Sequence, residues 1–145
     1  MLSEAQKAKL YAMRKAIDSG VTLAAEKGTA AINTMVECIR PWRQGSYAVG
    51  DVRAENGVPY KCAQAHDSTS NPDWAPSKTP ALWIQYHGTS RETARAWVAP
   101  TGAHDMYKAG EWMIYTDGVT YECLNDTSYS PTDYAQAWRA DNGDD

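Results

Sequence analysis

The 145-residue sequence has no phenylalanine, three cysteines and three histidines, and no apolar run near the ~20 residues that a membrane span needs. Each shortage excludes something. Without phenylalanine, the aromatic share of any core falls to tryptophan and tyrosine, whose polar tips suit half-wet surfaces as well as interiors. Three cysteines cannot staple a disulfide scaffold, and Cys38 stands alone. Cys62 and Cys123 are expected as free thiols in separate small cores, because a bridge between them would need two parts of the chain to face each other. Basic residues are outnumbered 14 to 18 by acidic ones and lie scattered, so the clustered footprint of a nucleic-acid binder is missing. Met1-Leu2-Ser3-Glu4 opens no apolar stretch, and neither a signal peptide nor membrane insertion is expected.

Enzymatic readings fail on the same ground. His66, His87 and His104 form no pair at metal-ligand spacing, so neither a metal nor another cofactor is expected. Glycoside cleavage needs two carboxylates held across a cleft, which a very small module cannot build. Cys62 lies four residues before His66, but a buried strand thiol is ordinarily inert and Cys123 has no such histidine.

What the chain does contain is a repeat. Trp42, Tyr47, Gly50, Asn56-Gly57, Tyr60, Cys62, Pro76 and Trp83 return in order as Trp97, Tyr107, Gly110, Asp117-Gly118, Tyr121, Cys123, Pro131 and Trp138. Spacing is identical from Tyr to Gly, turn Gly to Tyr, Tyr to Cys and Pro to Trp, while the stretches between differ. Loops absorb insertions, whereas a one-residue slip turns a strand inside out. All six tryptophans and eight of nine tyrosines lie between Trp42 and Trp138, as two modules of about 40 residues would require to hold together.

Asn-Gly between extended runs 51–54 and 58–65, and Asp-Gly between 112–116 and 119–124, predict two hairpins, each closed by a third strand at Trp83 and at Trp138. In front of them, Ser3-Glu4-Ala5-Gln6 is a capping box, and Leu10, Met13 and Ile17 form one stripe of a helix stopped by Asp18-Ser19-Gly20. A second helix is expected from Leu23 to Ile39, ended by Arg40-Pro41. The fold class is therefore α+β: an N-terminal helical segment followed by two small antiparallel three-stranded β modules in tandem. The divisions fall at residues 1–41, 42–86, 87–96 (a linker), 97–140 and 141–145 (an acidic tail). The helices either fold back on their own modules or grip something else.

The polar loops 66–80 and 126–136 hold the candidate site. Trp74 and Tyr129 both stand two residues before a proline, among turn formers and with little apolar company. An exposed ring beside carboxylates and amides suits a sugar, covering its C–H face while the polar groups bond its hydroxyls. Trp74 with Asp67, Asn71 and Asp73, and Tyr129 with Tyr134 and Asp126, are the two predicted clusters. The competing reading makes these rings lids over undersized cores.

Tyr47-Ala48-Val49-Gly50-Asp51-Val52 followed by Asn56-Gly57-Val58-Pro59-Tyr60-Lys61-Cys62, between Trp42 and Trp83, resembles the chitin-binding type 3 module, a small carbohydrate-binding fold appended to chitinases and cellulases. The second copy departs from it at Glu111-Trp112 and in the longer stretch between Trp97 and Tyr107. The layout as a whole resembles small structural proteins of bacteriophages and prophages. Together the resemblances imply a non-enzymatic virion protein, assembled in the host cytoplasm. It would bind polysaccharide or cell-surface glycan through its modules and other virion proteins through its helices, as a homo-oligomer, with a trimer expected. The alternative is a purely structural capsid, tail or baseplate protein whose aromatics make protein contacts, since Trp and Tyr also anchor interfaces.

Overall fold

The computed structural model describes residues 1–141. The expected α+β class is what it shows. Helix α1 (Glu4–Lys27) starts on the capping box: Gln6 N–H donates to Ser3 Oγ at 3.1 Å and Ser3 N–H to Gln6 Oε1 at 2.8 Å. Its end differs from expectation. The helix runs through Asp18-Ser19-Gly20 and stops at Gly28, whose φ of +118° suits glycine and whose N–H bonds Ala24 O. Gly20 serves packing, since a Cβ there would lie 3.4 Å from Met35 Cε. The second helix is cut to α2 (Thr29–Asn33), followed by a 3-10 turn at Val36–Cys38 before Ile39 extends toward Pro41.

Val21 and Ala24 of α1 meet Ile32, Ile39 and Val52, so the C-terminal half of the helix is fixed on the first module. Asp18 accepts from Arg40 Nη2 at 2.8 Å and pairs with Arg14 at 2.7 Å; the Arg40 bond foremost holds its carboxyl below the usual range. From the N-terminal half Arg14 reaches Cys38 O at 3.1 Å, while residues 4–13 are exposed throughout. Leu10 and Met13 remain exposed, so folding back on the module describes the C-terminal half of α1 alone.

The first module holds β1 (Ser46–Tyr47), β2 (Val52–Glu55), β3 (Val58–Cys62), β4 (His66–Asp67) and β5 (Trp83–Gln85). Strands β2, β3 and β5 form an antiparallel sheet, while β1 and β4 pair beside it. The predicted hairpin turns at Asn56, with φ of +52°, and Gly57, with φ of +78°. The second module holds β6 (Arg95–Ala96), β7 (Trp112–Ile114), β8 (Thr120–Cys123) and β9 (Trp138–Asp141) in the order 6-7-8-9, with β6 parallel to β7. Residues 87–96, expected as a linker, thus give this sheet its fourth strand. Asp141, expected in the tail, closes β9 opposite Thr120, and the rest of that tail lies outside the described residues.

The repeat is exact at the centre. Cys62 pairs with Trp83 and Tyr60 with Gln85, as Cys123 pairs with Trp138 and Tyr121 with Ala140. Gly50 N–H reaches Cys62 O and Gly110 N–H reaches Cys123 O. Both thiols are free and buried; each donates to a carbonyl two residues on, and burial pushes both up, Cys123 to about 11.

In the second core Tyr107 stacks between Trp97, 5.1 Å away, and His87, 3.7 Å away at 9°. Burial lifts its hydroxyl from the usual 10.0 to about 12. A raised phenol favours folding below pH 10 and loses that advantage as pH climbs to 12, because the unfolded chain ionises first. Stability is expected to fall by about 1.4 kcal/mol per pH unit from this group between pH 10 and 12. Urea midpoints across that window check it, and Tyr107→Phe flattens the slope.

Candidate functional site

The loop between β4 and β5 carries Trp74 on successive turns: Asn71 N–H donates to Ser68 O at 2.8 Å and Trp74 N–H to Asn71 O at 3.1 Å. Ser68, fully buried, ties the start of the loop to Gly45 by exchanging bonds of 3.0 Å with its backbone. Past the turn, Ala75 and Pro76 are buried, so the chain is pinned on both sides of an indole that stays 37% exposed. Trp74 meets the ring of His66 at 6.2 Å and 63°, and His66 in turn meets Trp83 at 5.6 Å and 83°.

His66 is the ring neighbour of Trp74 that the predicted cluster left out. Its Nδ1 lies 2.7 Å from Gln64 O, so that nitrogen carries the proton, and Nε2 is buried without a partner among the described residues. Cys62 Sγ lies 3.7 Å from Nδ1 but donates to the same carbonyl, which makes the pair structural. The signal was the Cys-to-His spacing; on β4 opposite Tyr47, that histidine becomes a wedge between the core and the surface ring.

The polar companions divide. Asn71 and Asp73 share the Trp74 loop, with Asp73 at 3.8 Å from Lys78 Nζ. Asp67 heads that loop, and its Oδ1 accepts from Thr69 N–H at 2.9 Å; the bond from the Thr69 hydroxyl foremost holds the carboxyl below its usual range, so it is anionic at neutral pH.

In the second module Tyr129 is 63% and Tyr134 43% exposed. Tyr129 is positioned by its backbone: N–H donates to Thr127 Oγ1 at 3.0 Å, and its carbonyl accepts from Trp138 Nε1 at 2.9 Å. Tyr134 follows on a turn through its N–H to Ser130 O at 2.8 Å. Asp126 is drawn elsewhere, with Oδ1 accepting from Ala109 N–H at 2.8 Å and Oδ2 3.7 Å from Lys108 Nζ. Counted from the paired cysteines, Asp126 matches Ala65 and His66 matches Thr127, so the polar sets of the two modules are not equivalent. The rings stand outside both cores, and the sheets are separate.

Residues 42–84 match carbohydrate-binding module family 5/12, which bears out the resemblance seen in the first module's motifs. Chitinase A1 of Niallia circulans is 35% identical over 74 residues, covering 48% of this chain and 10% of that enzyme; the chain spans about a tenth of the length of that relative. The crystal structure of a family GH18 chitinase from Chromobacterium violaceum is 29% identical, with a TM-score of 0.31, over 42% of this chain and 16% of the other.

Proposed function

We propose that this chain is a non-enzymatic glycan-binding protein whose two modules hold β-linked polysaccharide of the chitin type on flat, exposed rings. The observation that carries the reading is Trp74: an indole over a third exposed, between two buried anchor points, inside the stretch that matches a carbohydrate-binding module. Aromatic faces cover the C–H surface of a pyranose, and Asn71, Asp73 and the ionised Asp67 supply acceptors for hydroxyls. Tyr129 and Tyr134 offer a second, differently furnished surface. Shallow sites of this kind bind weakly one at a time, and linking them can add a factor of roughly 10² or more in avidity.

Trp74→Ala is expected to cut retention on chitin beads at least about tenfold while leaving the melting temperature within about 2 °C, because the ring lies outside the core. No retention of the unaltered chain on chitin or another insoluble polysaccharide refutes the reading.

The exposed half of α1 supports the attachment role. A helix of 24 residues extends about 36 Å, and its residues 4–13 are exposed throughout, with no packing that would stabilise them alone. In this proposal that half gathers copies of the chain and fixes them to a phage particle assembled in the host cytoplasm. Removing residues 1–13 is expected to reduce an oligomer to a monomer in sedimentation without unfolding the modules; an unchanged mass refutes it.

A further inference from the structure

The two modules carry the same cleft in different states. In the first, Tyr60, Pro76, Ser77, Pro80, Trp83 and Gln85 line a cleft of 110 Å³, narrowed by Val98, Ala99, Thr101 and Asp105 of the second module; His87 also lines it, and its counterpart by count lies outside the described residues. In the second, Tyr121, Pro131, Thr132, Ala135, Trp138 and Ala140 line a cleft of 260 Å³ that nothing in the described residues covers. These are equivalent positions, one for one, by the strand register and by the count from the shared proline. The difference shows in burial: Tyr60 is buried where Tyr121 is half-buried, and Pro80 and Gln85 are half-buried where Ala135 and Ala140 are exposed.

The occupant of the first cleft has a definite origin. Four residues separate Trp42 from Tyr47, but nine separate Trp97 from Tyr107, and the extra length is the loop that reaches back. It is built to hold its shape. The Asp105 carboxylate accepts from Thr101 N–H and Gly102 N–H at 2.9 Å and from Thr101 Oγ1 at 2.9 Å, and His104 Nε2 sits 3.2 Å from Pro80 O. The tandem arrangement therefore rests in part on a loop-in-cleft contact, and the receiving half of that contact is repeated, open, on the second module.

We propose that the open cleft of the second module is a docking site for a further β module on another polypeptide, entered by a Val-Ala-Pro-Thr type loop as the first cleft is entered by residues 98–105. Modules of this kind then join head to tail between chains. The inference rests on the repeat and not on glycan binding, so it stands or falls separately.

The test uses the full chain, isotope-labelled, and a synthetic peptide of residues 97–106 cyclised through added terminal cysteines, which keeps the loop pre-organised. The expected result is saturable amide shifts at Thr132, Ala135 and Ala140, with Kd on the order of 0.1–1 mM for so small a contact. Those shifts are expected to weaken at least about tenfold in Ala140→Arg, with the hydrogen-exchange protection of Cys123 unchanged. Three results overturn it: no shifts at millimolar peptide, shifts that persist in Ala140→Arg, or equal shifts with a cyclic peptide of the same residues in scrambled order.

Discussion

Trp83→Ala is expected to cost about 3–5 kcal/mol, among the largest losses available to a single substitution in this chain. Trp83 is 1% exposed, pairs with Cys62 across β3 and β5, and meets Tyr47 edge-on at 5.0 Å as well as His66. The module around it is too small to close over a void of that size. The loss passes to function through one further contact, because His66, which rests on Trp83, is what Trp74 rests on. Retention on polysaccharide is thus expected to fall together with stability, in contrast to Trp74→Ala, where only retention falls. Trp83→Phe separates size from polarity. Trp83 Nε1 has no partner among the described residues, whereas Trp138 Nε1 donates to Tyr129 O, so the phenylalanine swap is expected to be milder at 83 than at 138. Urea midpoints for the four variants decide the matter; equal costs at the two positions contradict the assignment of their nitrogens.

The repeat was legible because register is a strict constraint. Tyr60, Cys62 and Trp83 are locked into one pairing, and any shift carries side chains to the wrong face, so their spacing survives in Tyr121, Cys123 and Trp138. The surface rings were legible for the converse reason: turn formers around Trp74 and Tyr129 give them nothing local to hide against. Helix boundaries were not. Both Gly20 and Gly28 are adequate stops in isolation, and it is the positive φ of Gly28, absent at Gly20, that ends the helix. His66 was missed because its role depends on three rings brought together from β1, β5 and the loop. Cys62, four residues back, is a local trace of that histidine but says nothing of the three rings.

The longer stretch between Trp97 and Tyr107 was visible as a departure from the pattern, yet its meaning is tertiary. It looked like a weakening of the second copy. In the fold it lies against the first module, and the same insertion narrows one cleft while the other stays open among the described residues. Equivalent sequence positions therefore do unequal work here: the first module gives its cleft to its neighbour and keeps Trp74 outward, while the second presents Tyr129, Tyr134 and a cleft open among the described residues.

Gly88→Ala, a change of one methyl group, is expected to cost roughly 1–3 kcal/mol. A Cβ at this position would sit 2.4 Å from Thr93 O and 2.7 Å from Ala94 Cα, and both obstacles are backbone, which cannot swing aside as a side-chain tip would. The strain falls on the seam between the modules. Gly88 O accepts from Trp112 N–H at 2.8 Å, its neighbour His87 stacks on Tyr107 with Nδ1 2.9 Å from Glu111, and Asn33 donates to both His87 O and Thr89 Oγ1. Pushing the 88–93 turn outward therefore loosens the second module's first strands and the link to α2 together, while the β2–β3 hairpin is untouched. The expected signature is faster amide exchange at Trp112 with unchanged protection at Cys62, measured by native-state hydrogen exchange. Uniform loss of protection across both modules contradicts a seam-local effect and makes the two modules one cooperative unit.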